Sequence, residues 1–161
     1  MTDTQPLRHA LGRFATGITI VTCLDVSGQR LGLTVNSFQA LSLKPALVLW
    51  SLRVASPSLA AFQQAPHFTV NVLAETQMEL ARRFASKLPD KFSEGDWAKG
   101  GHGAPVLADC AAVFECRTVS QQLAGDHVLF IGEVLGFSEC AVPPLLFHSG
   151  HYRALGDALW P

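Results

Sequence analysis

The strongest constraint on the fold of this chain is a rhythm of short apolar runs, rich in β-branched residues and each closed by a turn signal. Residues 18–24 and 31–38 flank Asp25, Val26, Ser27 and Gly28, the pattern of a hairpin. Residues 46–52 follow Pro45, residues 67–73 make a further strand, and residues 113–119 and 127–137 read as a late pair. β-Branched side chains suit a pleated surface and lose χ1 freedom in a helix, so these runs specify strands. Helical signals are confined to three short places. Thr4 caps a first helix, with Pro6 early in it and Leu7, Leu11 and Phe14 at helical spacing, running to about Ala15 and stopped by Gly17. Ser56 caps a second, with Pro57 at its first position, that runs through Phe62. Thr76 and Glu79 are spaced as a capping box for a third, which carries Met78, Leu80, Ala81 and Phe84.

Hairpin-linked strands with so few helices do not fit a regular βαβ alternation, which disfavours a doubly wound parallel sheet. The pattern predicts a mainly β fold with short peripheral helices, an antiparallel barrel that closes fully or partly to hide its edges. Residues 87–105 contain four glycines and are long for a connection, so a lid or a dimer arm is expected there. No repeat or linker interrupts the chain, and one domain is expected over residues 1–161.

Hydrophobic residues make up 48% of the chain and charged residues 16%, a globular composition that leaves apolar surface for a partner subunit or ligand to cover. The net charge is −1 and the basic residues are scattered, so no nucleic acid and no membrane surface is expected as a partner. The first residues lack the apolar core of a secretory signal, and Lys44, Arg53 or Glu133 breaks each long apolar stretch. A cytoplasmic protein is expected. Cys23, Cys110, Cys116 and Cys140 lie in or beside apolar runs at no metal-ligand or redox-pair spacing, and are expected to be buried reduced thiols.

Candidate chemistry is dispersed. There is no GxGxxG opening a helix and no GxxxxGK[ST], so a nucleotide phosphate needs another cradle. Ser56 and Ser58 at a helix start could supply it through hydroxyl and backbone donors, or Ser56 could simply cap the helix. Thr34, Val35, Asn36 and Ser37 end a strand with three hydrogen-bonding side chains, fit either for the polar edge of a flat heteroaromatic ring or for a polar turn. In Gly125-Asp126-His127, His127 could donate to a ligand, act as a general acid, or be a satisfied histidine beside a turn. His148 and His151 are three apart, but no third ligand has matching spacing, so no metal is expected.

In order along the chain, Phe14-Ala15-Thr16-Gly17-Ile18-Thr19-Ile20-Val21-Thr22, Gly32-Leu33-Thr34-Val35-Asn36-Ser37-Phe38 and Ser42-Leu43-Lys44-Pro45 resemble segments of the short-chain flavin reductases. These are the reductase components of two-component flavin-dependent monooxygenases. Phe68-Thr69-Val70-Asn71-Val72-Leu73, Asp90-Lys91-Phe92, Gly125-Asp126-His127, Gly132-Glu133-Val134 and Pro144-Leu145-Leu146-Phe147 with Gly150 and Tyr152 continue the resemblance, which covers residues 8–155. Asn36 stands where Ser or Thr is often found in that family, and His151 is unusual between Gly150 and Tyr152.

The resemblance implies a flavin-binding split barrel, a homodimer, and hydride transfer from NADH (or NADPH) to FMN or FAD. By position it places Thr34, Val35, Asn36 and Ser37 along the isoalloxazine, with Ser51 and Leu52 near the ring or ribityl chain. Ser56 and Ser58 would meet the phosphate, Lys87 and Phe92 the flavin tail, and His127 the nicotinamide, with Gly150 and Tyr152 completing that side. Arg153, or Arg82 with Arg83, could meet a 2′-phosphate. A flavin-dependent monooxygenase is the implied partner. Two alternatives stand beside this: a split-barrel flavoprotein with tightly bound FMN acting in electron transfer, and a flavin-binding module without turnover.

Overall fold

The computed structural model describes residues 4–160; residues 1–3 and 161, the ends of the expected domain, lie outside the described residues. The strands are β1 (Thr16–Gly17), β2 (Thr19–Leu24), β3 (Arg30–Val35), β4 (Gln39–Leu43), β5 (Ala46–Arg53), β6 (His67–Val72), β7 (Trp97–Lys99), β8 (Pro105–Leu107), β9 (Ala112–Ala124), β10 (His127–Glu139), β11 (Leu146–His148) and β12 (His151–Arg153). The helices are α1 (Gln5–Leu11), α2 (Leu59–Gln64) and α3 (Met78–Ala85). Seven strands form one antiparallel sheet in the order β3-β2-β6-β9-β10-β5-β4. The sheet curls until the end of β3 meets β5. There the Ser37 hydroxyl donates to Ser51 O at 3.0 Å and accepts from Ser51 N–H at 3.0 Å. With β4 lying beyond this closure, the barrel is split.

Period-2 alternation builds the barrel interior. Val21 and Cys23 on β2, Val48, Trp50 and Leu52 on β5, Phe68 and Val70 on β6, and Val128 and Phe130 on β10 share one apolar cluster. Trp50 stacks on Phe130 with centroids 4.7 Å apart and meets Phe62 of α2 edge-on at 5.0 Å. Gly132 is needed where the rings press closest, because a Cβ there would lie 2.4 Å from Phe68. Ile18, just before β2, and Ile20 on the other face of β2 join a second cluster with Leu73, Ala81, Phe84, Leu107 and Leu145. On this face Thr22 and Asn71 are hydrogen-bonded, whereas the buried Thr69 Oγ1 has no partner among the described residues. Thr22 donates to Pro105 O at 2.6 Å, and Asn71 donates to Ile20 O at 3.0 Å and accepts from Leu107 N–H at 2.9 Å, so β8 is pinned to the barrel wall.

Several sequence expectations are corrected. The first helix ends at Leu11, because Ser149 N–H binds Gly12 O at 2.9 Å and turns the chain toward β1; Gly17 lies inside that strand. α1 buries no residue, and Leu7, Leu11 and Phe14 are exposed. The strand expected over residues 31–38 stops at Val35, and β4, a short and largely exposed strand at the sheet edge, lies outside the expected runs. Ser58, not Ser56, occupies the N-cap position of α2, and its side chain makes no capping hydrogen bond. The capping box belongs to Gln77, whose Oε1 accepts from Ala74 N–H at 2.9 Å, while Glu79 pairs with Arg82. Residues 87–105 are largely a docked wall, since Trp97 packs on Phe84 and Phe92 at 5.1 and 4.9 Å. Cys23, Cys110 and Cys116 are buried, with desolvation pushing each thiol up to about 12, but Cys140 is exposed just past β10.

Candidate active site

A cleft of about 940 Å3 opens beside the barrel between the ends of β3 and β5, the entry to α2, and the segment after α3. Thr34, Val35, Asn36 and Ser37 line one side of it. Ser51 and Leu52 form its floor, Ser56 and Ser58 one end, Lys87 and Phe92 the facing wall, and His127 reaches it from the start of β10. Gly150 and Tyr152 lie elsewhere, in the small sheet β1-β11-β12. Gly150 has φ +82° after Ser149 at +50°, a tight turn between β11 and β12 that by itself accounts for the glycine. Tyr152 packs on Phe147 at 5.6 Å, with Arg82 5.9 Å from its ring.

The donors differ in how far they are committed. Thr34 already donates to Ala81 O at 2.6 Å, and the Ser37 hydroxyl serves the closure with Ser51. Their oxygens can still accept. Asn36 is exposed at the cleft margin, its side-chain amide without a hydrogen bond among the described residues. Ser56 Oγ accepts from Ser58 N–H at 3.3 Å. Because α2 has only six residues, its dipole is a minor aid to an anion there.

Gly125 (φ +61°) and Asp126 form the two-residue turn between β9 and β10, and Val54 N–H binds Asp126 O at 2.8 Å. This turn fixes His127 across from Arg53 on β5. The Asp126 carboxylate lies 2.7 Å from His127 Nδ1, and that hydrogen bond holds the carboxyl below the usual carboxylate range. The second ring nitrogen of His127 carries no hydrogen bond among the described residues.

Among the described residues four cations line the cleft, Arg30, Arg53, Lys87 and Lys91, and no Asp or Glu does. Folding therefore gathers basic residues that are scattered in sequence into one electropositive hollow. Lys91 Nζ donates to Phe84 O at 3.0 Å, and burial pushes its ammonium below the ordinary lysine value. Arg30 lies over the Phe92 ring at 4.8 Å. Sequence reasoning missed Arg30, Arg53 and Lys91, yet a signal existed for each. Arg30 and Thr34 share a face of β3 at even spacing, as Ser51 and Arg53 do on β5, and Lys91 adjoins Phe92. Arg82, Arg83 and Arg153 are absent from the lining. Among the described residues no helix is long and apolar enough to cross a membrane.

Comparison with known proteins gives the same direction. The sequence matches the family described as "Flavin reductase like domain" over residues 11–156. It is 41% identical over 160 residues to a probable flavin reductase of Rhizobium meliloti, covering 98% of this chain and 51% of that protein, so the chain spans about half that relative's length. It is also 41% identical to the reductase subunit of a flavin-dependent monooxygenase of Rhodococcus jostii, covering 95% of this chain and 78% of the relative. The solved NADH:FAD oxidoreductase of Streptomyces globisporus, in complex with NAD and FAD fragments, superposes with a TM-score of 0.92 at 34% identity, over 98% of this chain and 95% of that one. This chain belongs to the flavin reductase like domain family.

Proposed function

We propose that this chain is an NAD(P)H-dependent flavin reductase, a single split-barrel domain that passes hydride from NADH (or NADPH) to FMN or FAD. It would act in the cytoplasm and supply reduced flavin to a partner flavin-dependent monooxygenase. The observation that carries the reading is the cleft itself, where hydroxyl, amide and imidazole groups and four cations meet without a carboxylate in the lining. Such a donor set fits a phosphorylated heteroaromatic ring and disfavours a cationic ligand. Two relatives, a monooxygenase reductase subunit and an NADH:FAD oxidoreductase, support the same chemistry.

When bound, the flavin and the nicotinamide supply the hydride acceptor and donor. The chain's residues orient, screen and exclude water. Arg30, Arg53, Lys87 and Lys91 offset phosphate charge, with Ser56 and Ser58 adding neutral donors. Thr34, Asn36 and Ser37 meet the polar edge of the ring and Phe92 presents apolar surface to it, while Val35 and Leu52, whose side chains turn into the barrel, line the cleft with backbone. His127, held by Asp126, orients the nicotinamide carboxamide or balances charge on the reduced ring. These roles need no nucleophile.

A homodimer is part of the reading. Its support is the amount of apolar surface left open, with Leu43 91%, Phe137 75% and Phe14 73% exposed and the Leu7 and Leu11 side chains of α1 turned outward. Gly150 and Tyr152 remain binding residues only in such an assembly, where the β11–β12 ribbon of a second copy would approach the cleft.

The deciding experiment is steady-state NADH and NADPH oxidation by purified protein, with and without added FMN or FAD. Oxidation that requires added flavin and saturates in it is the expected result. Turnover without added flavin would instead favour a tightly held cofactor and electron transfer. Flavin binding with no oxidation under any combination would overturn the reductase reading in favour of a binding module.

A further inference from the structure

We infer that Arg83, which does not line the cleft, is the positioning residue for its loop wall, an inference that rests on the reductase reading above. Arg83 occupies the last turn of α3, half-buried, and spends its guanidinium on one target. Nε donates to Lys91 O at 3.1 Å, Nη2 donates to Asp90 O at 2.9 Å, and the same nitrogen bonds Ser93 Oγ. A planar fork can hold these acceptors together, whereas a lysine ammonium cannot match its geometry.

The loop returns the contact. Lys91 Nζ donates to Phe84 O, one residue along α3, where the helix C-terminus favours a cation. Phe92 then sits edge-on to Phe84 at 5.0 Å and beneath Arg30. Arg83 thus fixes the part of the loop wall that carries Lys91 and Phe92. Only the short tip that carries Lys87, Leu88 and Pro89 is outside the clamp, and the Lys87 ammonium has no partner among the described residues. Loosening the clamp should therefore blur the wall that meets the flavin tail while leaving the hydride-transfer geometry at His127 in place.

The test compares Arg83→Met, which keeps the apolar stem, with Arg83→Lys, which keeps the charge. The flavin KM should rise about tenfold in both, the effect of misplacing one charge-assisted contact, with kcat within about twofold of the parent. Tryptic cleavage after Lys87 and Lys91, measured without flavin, should quicken several-fold in Arg83→Met, while the melting temperature stays near that of the parent. Parent-like KM and cleavage in Arg83→Met would overturn the inference. So would a KM restored by Arg83→Lys, which would mean that charge and not the fork matters, or a fall in kcat together with melting temperature, which would mark a merely structural residue. If the parent itself oxidises no nicotinamide, the reductase reading fails, and with it the catalytic half of this inference; cleavage then still decides whether the clamp exists.

Discussion

Strands β3 and β5 each show one face to the barrel interior and the other to the cleft, and the two faces obey different rules. Inward, Leu31, Leu33 and Val35 on β3 and Val48, Trp50 and Leu52 on β5 join a closed apolar cluster. Outward, Arg30 and Thr34 on β3 and Ser51 and Arg53 on β5 meet the open hollow. Interior side chains gain from burial, each change of volume is felt by its neighbours, and the result is stability. Cleft side chains hold polar groups partly unspent, and the result is a place for a ligand. One strand thus carries both roles because its side chains alternate at every residue.

This contrast can be broken from either side. The largest effect should come from the interior. Phe130→Ala removes the partner stacked on Trp50 and should cost about 3–5 kcal/mol in urea unfolding. A loss below about 1 kcal/mol would mean that the barrel core relaxes into the space and is not the close-packed unit described. Next comes the cleft. His127→Ala should slow single-turnover flavin reduction about tenfold or more, with the urea midpoint unchanged, because the imidazole is bonded only to an exposed Asp126. Unchanged reduction would remove His127 from the site.

A smaller change is expected from Arg53→Ala, which should raise the flavin KM a few-fold, weaken its salt dependence, and leave stability within about 0.5 kcal/mol. Equal loss of stability and affinity would erase the distinction between the two faces. The smallest effect concerns pH and lies outside both regions. Burial, then His102 stacked at 5.2 Å and Arg117, hold the His67 imidazole below its ordinary value. The unfolded chain therefore binds that proton more readily. Stability should be full above about pH 6.5 and decline as pH falls through that value toward the lower folded one. His67→Gln should flatten the slope of melting temperature between about pH 5 and 7, and an unaltered slope would assign the acid limb to other groups.

How much of this was legible beforehand depends on whether the signal was local. The strand runs, the Gly125 and Asp126 turn and the antiparallel barrel followed from side-chain period and turn chemistry. Thr34 and Ser37 were found as polar groups at a strand end, and the resemblance to flavin reductases linked them to Ser51, Lys87 and Phe92. What escaped was set at a distance. The N-cap position of α2 falls on Ser58 and not Ser56, Gly17 is strand because Leu146 pairs with it, and the spacing of Leu7, Leu11 and Phe14 does not reveal that all three are exposed. Arg83 looked like a surface cation or a 2′-phosphate ligand until its three loop acceptors were visible.

By itself the sequence determined the strand-rich architecture, the family and the chemical types of the site, since these depend on neighbours a few residues apart and on motif order. Tertiary structure alone decided that Arg30, Arg53, Lys87 and Lys91 share a hollow that no carboxylate of the described residues lines and that Gly150 and Tyr152 stay outside it. It also joined β3 to β5 through the Ser37 hydroxyl. The physical reason is that electrostatic fields and hydrogen bonds act through space, between residues whose separation along the chain carries no trace of the contact.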